Sequence, residues 1–447
     1  MAALSPEHDI IAAIATAPGR GGIGIVRISG SDLTLFAERI LGRVPQPRYA
    51  HFSPFLDEGG EMIDEGVALY FPEPNSYTGE DVLELQGHGG PVVLKSVLNR
   101  CLRLGARMAN PGEFTQRAFL NDKIDLAQAE SVADLIDATS EAAARSALRS
   151  LTGEFSRYVN ELNASLIELR MLIEAILDFP EEELGLLQTT KVYDKLDRVQ
   201  ENLQALEYTA KQGSLLREGI RVVLIGQPNV GKSSLLNRLA ARDVAIVTSV
   251  AGTTRDAIRE TVQIDGVPVH IIDTAGLRDT SDEVETIGIG RTWQEIASAD
   301  VALLLVDVKH GLAHAEHEII ARLPLGLPIF TIHNKIDLNG EPAHAFGQDI
   351  YLSAHTGEGL PQLRETLLRI AGWQTESSGI FMARERHLQA LRNAREHLEE
   401  AKCVPGTALE LLAEELRLAQ YELAAITGEF SADELLGEIF SRFCIGK

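Results

Sequence analysis

Apolar residues change their spacing repeatedly along this chain, and each change predicts a different kind of structure. In the first 120 residues they form short alternating runs, GIGIVRIS, EGVALYF and DVLELQG, which predict strands beside the helix-spaced VVLKSVLNRCLRLG, all punctuated by Gly and Pro. An α+β domain follows from that mixture. From Asn121 the breakers thin out. Phe155, Val159, Leu162, Leu166, Leu169, Ile173 and Ile176 alternate four and three apart, a heptad-like helical seam, and Val192, Leu196, Val199, Leu203 and Leu206 repeat the spacing after Pro180. The next segment carries apolar strand candidates (RVVLIG, VHIID, VALLLVDV, PIFTIHN). After residue 380 the helical seam returns at Leu409, Leu412, Leu416, Ala419, Leu423 and Ile426. Each helical block has an apolar stripe that needs cover, so the simpler arrangement packs the two blocks together as one helical domain with an α/β domain inserted. The expected division is an N-terminal α+β domain over 1–120, a first helical block over 121–212, the inserted domain over 215–375 and a second helical block over 378–447.

Composition narrows the class of protein. The chain has 447 residues, 45% of them hydrophobic and 24% charged, an ordinary globular balance, and no apolar stretch approaches the ~18 residues of a membrane span. The N-terminal MAALSPEHDIIAAIATAPGRGG lacks a basic start before its apolar residues, so export is not expected. Three cysteines, Cys101, Cys403 and Cys444, have no CxxC spacing, which predicts neither a disulfide framework nor a zinc site and suits a reducing cytoplasm. The formal charge of -24 is spread so that acid exceeds base in every segment. If the chain works on RNA, a local basic patch or a basic partner must supply much of the affinity.

The inserted segment carries the chemistry. Gly226-x-x-x-x-Gly231-Lys232-Ser233 follows an apolar strand and opens a helix, the context a phosphate-binding loop requires. Its glycines let backbone N–H groups close on phosphates, Lys232 reaches the β and γ phosphates, and the Ser233 hydroxyl suits magnesium. In order there follow Gly252-Thr253-Thr254-Arg255-Asp256, the strand ending in Asp273-Thr274-Ala275-Gly276, the strand ending in Asn334-Lys335-Ile336-Asp337, and Ser353-Ala354 on a loop that can close over a base. Asp337 can accept two hydrogen bonds from the N1–H and exocyclic amine of guanine, donors that adenine lacks in that place, so GTP is the expected nucleotide. This order predicts a P-loop GTPase with a doubly wound α/β sheet and its ligand at the strand C-termini.

Hydrolysis needs a group to orient water. The residue after the Asp-x-x-Gly motif is Leu277, which cannot do so; Asp282, Glu283 and Glu285 just downstream are candidates to replace it. Asn229 has two readings. It can be a turn-forming residue, or its amide oxygen, with backbone carbonyls of 248–253, can hold a monovalent cation against the phosphates.

Three blocks together resemble the MnmE (TrmE) family of tRNA wobble-uridine modification GTPases across essentially the whole chain. They are PGRGGIGIVRISG with SYTGEDVLELQGHGGP and NPGEFTQRAFLNDKIDLAQAE, the GTPase motifs, and the terminal FCIGK. The resemblance implies an N-terminal domain that dimerises and binds a 5-formyltetrahydrofolate-type folate, a helical domain and an inserted G domain. It also implies a homodimer and a flavin-dependent MnmG-type partner, in a heterotetramer or larger complex, that acts with it on tRNA in the cytoplasm. Together they add an aminomethyl or carboxymethylaminomethyl group at position 5 of the wobble uridine, with GTP hydrolysis stimulated by potassium. Carried over by motif, Arg27, Glu84, Lys123 and Lys447 fall at the folate. Ser233 and Thr254 fall at magnesium, Asn229, Thr248, Val250 and Thr253 at potassium, and Glu285 at the catalytic water. GTP contacts are expected from Asn229, Val230, Gly231, Lys232, Ser233, Ser234, Thr248, Ser249, Val250, Ala251, Gly252, Thr253, Thr254, Asp273, Thr274, Ala275, Gly276, Asn334, Lys335, Asp337, Ser353, Ala354 and His355. The family reading places the Cys444 thiol near the folate, important for modification; the plain alternative is a buried free cysteine.

Two weaker signals are set aside. Gly19 to Gly24 satisfies GxGxxG but leads into a strand rather than a helix, against a dinucleotide fold, and His88 in Gly87-His88-Gly89-Gly90 reads as a glycine turn rather than a piece of an oxyanion hole. A ribosome-assembly GTPase is the competing function, but it is expected to carry a basic RNA-binding module, and no segment is basic. A one-carbon transferase regulated by GTP is disfavoured, because the first 120 residues supply no acid–base pair independently of the resemblance.

Overall fold

The structure, a computed structural model, describes residues 9–178, 185–240, 258–273, 293, 296–310, 314–374, 379–405, 408–429 and 433–446. The chain divides into two compact units. The first comprises Met1–Ala133, Leu151–Ile167 and Arg417–Lys447, and the second Asp134–Ser150 and Glu168–Leu416.

In the first unit, β1 (Ile11–Ile14), β2 (Ile23–Gly30), β3 (His51–Leu56), β4 (Met62–Phe71), β5 (Asp81–His88) and β6 (Arg107–Met108) form a sheet in the order β3-β4-β5-β2-β1-β6. Its pairs are antiparallel except β1 with β6. Alternation along β2 sends Val26 and Ile28 into the core, where α1 (Thr34–Leu41) and α2 (Pro91–Arg103) cover them with Phe36, Ile40, Leu94, Val97 and Leu98, side chains at helical spacing. A smaller cluster gathers Ile11, Ala13, Ala109 and Phe114, the last on α3 (Glu113–Leu120). The C-terminal segment folds back onto this domain. From α13 (Asp433–Ser441), Leu436, Ile439 and Phe440 pack with Phe443 against Leu126 and Ala129 of α4 (Leu126–Ile136), and Ile445 forms a β-bridge with Pro111.

The seams appear as long helices. In α6 (Glu154–Asp178), Phe155, Val159, Leu162, Leu166, Leu169 and Ile173 are buried, and Ile176 is half-buried. In α7 (Gly185–Glu218), Val192, Leu196, Val199, Leu203 and Leu206 are buried, as are Leu412, Leu416, Ala419, Leu423 and Ile426 of α12 (Leu409–Thr427). Within the second unit α7 runs beside α11 (Glu385–Cys403), where Gln200 donates to the Leu398 carbonyl at 3.0 Å and Arg395 meets Glu207 at 3.2 Å.

The described residues of the second unit include a seven-stranded sheet in the order β12-β13-β11-β10-β7-β9-β8. Its members are β7 (Ile220–Ile225), β8 (Ile258–Ile264), β9 (Val267–Asp273), β10 (Val301–Asp307), β11 (Ile329–Asn334), β12 (His344–Phe346) and β13 (Asp349–Leu352). All pairs are parallel except β8–β9 and β12–β13. One apolar cluster joins the sheet to α8 (Lys232–Ala240) and α10 (Leu360–Ala371); a second holds Val223, Ile225, Ile272, Ala302 and Leu304, with Ile319 and Ile320 of α9 (His314–Ala321) packed against it. This is the doubly wound arrangement expected.

The first cluster extends beyond 215–375, because Ala143 and Ala147 of α5 (Glu141–Leu151), Ile380 and Met382 all belong to it. Polar contacts follow the same seam: Ser140 Oγ donates to the Gly266 carbonyl at 3.0 Å, and Gln263 donates to the Thr139 carbonyl at 2.6 Å. Buried Asp134 accepts from Arg217 at 2.9 Å and from Arg384 at 2.8 Å. Gly219 alone separates α7 from β7. Its φ of 66° lies in the left-handed region, and a Cβ there would stand 2.2 Å from the Pro268 carbonyl oxygen, so a larger residue would be doubly opposed.

Candidate functional site

At the C-terminal ends of the parallel strands β7, β11 and β13, three described loops supply nucleotide motifs. The loop after β7 turns through Asn229 with φ 66° and Gly231 with φ 103° into α8. A Cβ on Gly231 would lie 2.3 Å from Asn334 Nδ2, so glycine here is required by both conformation and space. Lys232 Nζ donates to the Gly226 carbonyl at 2.7 Å, curling the side chain back over the loop. Ser233 and Ser234 stand exposed in the first turn of α8, where unpaired helix N–H groups favour anions.

Asn334, 1% exposed, joins the two halves of the site. Its Nδ2 donates to the Val230 carbonyl at 2.7 Å, while Oδ1 accepts from Ala354 N–H at 2.9 Å and Lys335 N–H at 2.8 Å. Lys335 then takes a left-handed conformation that opens a short 3-10 turn, Ile336–Leu338, and presents Asp337 at the surface. Ser353, fully buried, donates to Asp337 Oδ1 at 2.6 Å. One carboxylate oxygen is held by the protein, and the exposed group has its remaining acceptor capacity for a ligand. Lys335 Nζ lies 2.8 Å from Asp307 at the end of β10, and this hydrogen bond and charge hold the Asp307 carboxyl below its usual range.

The structure therefore brings together Val230, Gly231, Lys232, Asn334, Lys335, Asp337, Ser353 and Ala354. Exposed Asn229 adopts the turn conformation of its simpler reading, and exposed His355 follows Ala354. Strand β9 reaches Asp273, whose side chain lies outside the described residues, as do Thr248, Ser249, Val250, Ala251, Gly252, Thr253, Thr254, Thr274, Ala275, Gly276 and Glu285.

A second candidate face lies in the first unit. Arg27 on β2 and Glu84 on β5 are register partners, and their side chains pair at 2.9 Å with a further Nε–Oε1 contact at 3.0 Å. The Arg27 guanidinium also lies 5.6 Å from the Tyr77 ring centre and 5.8 Å from that of Phe114. Tyr77 shares a 2.8 Å hydrogen bond with Thr115, and burial pushes its phenol pKa up. Lys123 Nζ donates to the Pro74 carbonyl at 2.9 Å. Sequence reasoning missed Tyr77 and Phe114; only their aromatic character within the N-terminal resemblance block offered a signal.

Cys444 is exposed, contrary to the buried-thiol alternative, and its carbonyl accepts from Gly112 N–H at 3.3 Å. A tail tied by backbone hydrogen bonds can leave its side chain in solvent, which explains the difference. Lys447 lies outside the described residues. The GxGxxG segment leads into β2, as expected of a strand. His88, at the end of β5, pairs with Asp64 at 2.7 Å, and that hydrogen bond raises the imidazole pKa.

The geometry has relatives of known naming. A family model for the MnmE helical domain matches residues 126–444, and one for the GTP-binding protein TrmE N-terminus matches residues 10–123. The tRNA modification GTPase MnmE of Thiobacillus denitrificans is 60% identical over 444 residues, 99% of each chain. That of Dechloromonas aromatica is 60% identical over 448 residues, 99% of this chain and 100% of the relative. Among solved structures, Aquifex aeolicus Era bound to GDP.AlF4- is 26% identical, with 40% of this chain and 66% of Era covered at a TM-score of 0.28, a partial overlap that adds nothing to the fold described above.

Proposed function

The chain belongs to the MnmE family of tRNA modification GTPases, and from that premise we propose that its GTP hydrolysis is potassium-stimulated and serves addition of an aminomethyl or carboxymethylaminomethyl group at position 5 of a wobble uridine. The observation that best supports nucleotide binding is Asn334, which ties the phosphate loop to the base loop while Ser353 orients Asp337. That arrangement favours guanine, because adenine would leave the prepared acceptor unmatched.

On this reading Asp337 receives the base, with Lys335, Ala354 and His355 around it. Gly231, Lys232 and Ser234 receive the phosphates, with Val230 carrying the loop. Exposed Ser233, at the start of α8, suits magnesium together with Thr254, and exposed Asn229 suits potassium together with Thr248, Val250 and Thr253. When bound, the cations supply positive charge against the phosphates. Leu277 cannot orient water, and Glu285 is assigned that role. Ser249, Ala251, Gly252, Asp273, Thr274, Ala275 and Gly276 complete the proposed nucleotide contacts.

The Arg27–Glu84 face, with Lys123 and Lys447, is the proposed site for a 5-formyltetrahydrofolate-type folate. The fold-back of the C-terminal segment onto the same unit, with Ile445 bridged to Pro111, supports it. A homodimer acting in the cytoplasm with a flavin-dependent MnmG-type partner in a heterotetramer or larger complex completes the reading. The acidic balance assigns much of the tRNA affinity to that partner. The division at 1–120, 121–212, 215–375 and 378–447 remains the proposed domain plan.

The test measures hydrolysis at saturating GTP in potassium and in sodium. Asn229→Ala should abolish the potassium effect, and Glu285→Ala should reduce turnover while nucleotide still binds. Equal rates in the two salts, with a large loss for Arg255→Ala or Arg278→Ala, would identify an arginine-finger GTPase instead. Mass spectrometry of tRNA nucleosides from cells with and without the protein tests the modification itself.

A further inference from the structure

Among the described residues outside the motifs, a side chain of α8 reaches from the phosphate half of the site to the base half. Arg238 lies on α8, four residues and therefore about one turn beyond Ser234. Its Nε donates to the Ala354 carbonyl at 3.4 Å, and its Nη2 donates to the His355 carbonyl. These are consecutive carbonyls of the loop whose N–H at Ala354 is held by Asn334 and whose Ser353 hydroxyl orients Asp337. The guanidinium fork suits two adjacent acceptors, where a lysine ammonium offers only a point charge.

We infer that Arg238 is a positioning residue that latches the base-side loop to the phosphate-side helix and so sets how fast guanine nucleotide leaves. This rests on the guanine-nucleotide reading of the site. Asn334 makes the inner link and is buried; Arg238 makes the outer link and is half-exposed. For the base to escape, the loop carrying Ser353, Ala354 and His355 must swing away from α8, which breaks the Arg238 bonds. Without the fork the loop opens more often, and the departing nucleotide loses its base contacts before its phosphate contacts.

The experiment follows displacement of fluorescently labelled GDP from the full-length protein by excess unlabelled GDP. Arg238→Met, which keeps the stem and removes the donors, is expected to raise the dissociation rate roughly tenfold, in line with the loss of two charge-assisted hydrogen bonds. Arg238→Lys should fall between it and the unmutated protein. Val269→Ala, a core truncation on β9 that touches neither carbonyl, controls for general loosening; it should lower the melting temperature without a matching rise in dissociation rate. An unchanged rate in Arg238→Met, or equal acceleration by Val269→Ala for the same loss of melting temperature, would overturn the latch. Should Arg238→Met fail to fold, Arg238→Lys carries the test, and a rate equal to that of the unmutated chain overturns it. Failure of the unmutated chain to bind GDP would instead remove the underlying guanine-site reading.

Discussion

In the nucleotide region, the side chains that would meet a ligand stand exposed and the side chains that fix them are buried: Asp337 and Ser233 face solvent, whereas Asn334 and Ser353 are buried and hydrogen-bonded to protein. On the Arg27–Glu84 face the two charged groups proposed to meet a ligand hold each other, side by side on neighbouring strands. The first region divides positioning and recognition between different residues. The second assigns both tasks to the same pair. A substitution should therefore separate folding from binding in the first region and couple them in the second.

The largest effect expected from this contrast is at Asn334. Asn334→Ala removes three hydrogen bonds, two that join the loops and one that holds the adjacent Lys335 N–H, and GTP affinity measured by calorimetry should fall about a hundredfold, on the order of 1 kcal/mol per bond. Binding close to that of the unmutated chain would show that the two loops do not depend on their common strut. Gly231→Ala should come next, because the added methyl lies against Asn334 Nδ2 in a left-handed backbone; roughly tenfold weaker binding is expected in the same assay.

Arg27→Met should lower stability and folate affinity together. Leaving Glu84 without its guanidinium partner is expected to cost about 1–3 kcal/mol in denaturant unfolding, and folate binding by calorimetry should be lost in the same variant. Intact folate affinity with reduced stability would break the contrast, since the pair would then serve structure alone.

The smallest effect concerns pH at the junction of α7 and the sheet. Burial pushes the His270 pKa down; its Nε2 donates to the Glu218 carbonyl at 3.0 Å, and Nδ1 meets the Thr261 hydroxyl at 3.0 Å, the pattern of a neutral ring. Because the folded-state pKa is depressed, this contribution is fully present above the unfolded value of about 6.5 and is lost as pH falls through the folded value. His270→Gln should flatten stability against pH in that acidic window, read from thermal melts. An unchanged slope would show that the imidazole does not report on this junction.

The same contrast accounts for what the sequence revealed. Most nucleotide motifs were legible because they are short strings at the ends of apolar strands, and the helical seams were legible because periodicity is local. The bond from Asn334 to Val230 spans 104 positions and that from Arg27 to Glu84 spans 57, so both depend on strand order that no local spacing encodes. Ala143, Ala147 and Met382 look like helical or linker residues in the sequence, yet they lie in the core of the α/β sheet. Tertiary packing, rather than any signal at residues 215 or 375, determines where that core ends.

The single residue between α7 and β7 has a mechanical consequence. Helix α7 has 34 residues, about 51 Å at 1.5 Å per residue, and its end passes through Gly219 directly into the strand that feeds the phosphate loop. With one residue of slack, a displacement of the helix end is passed on to the strand that feeds the phosphate loop rather than absorbed by a linker.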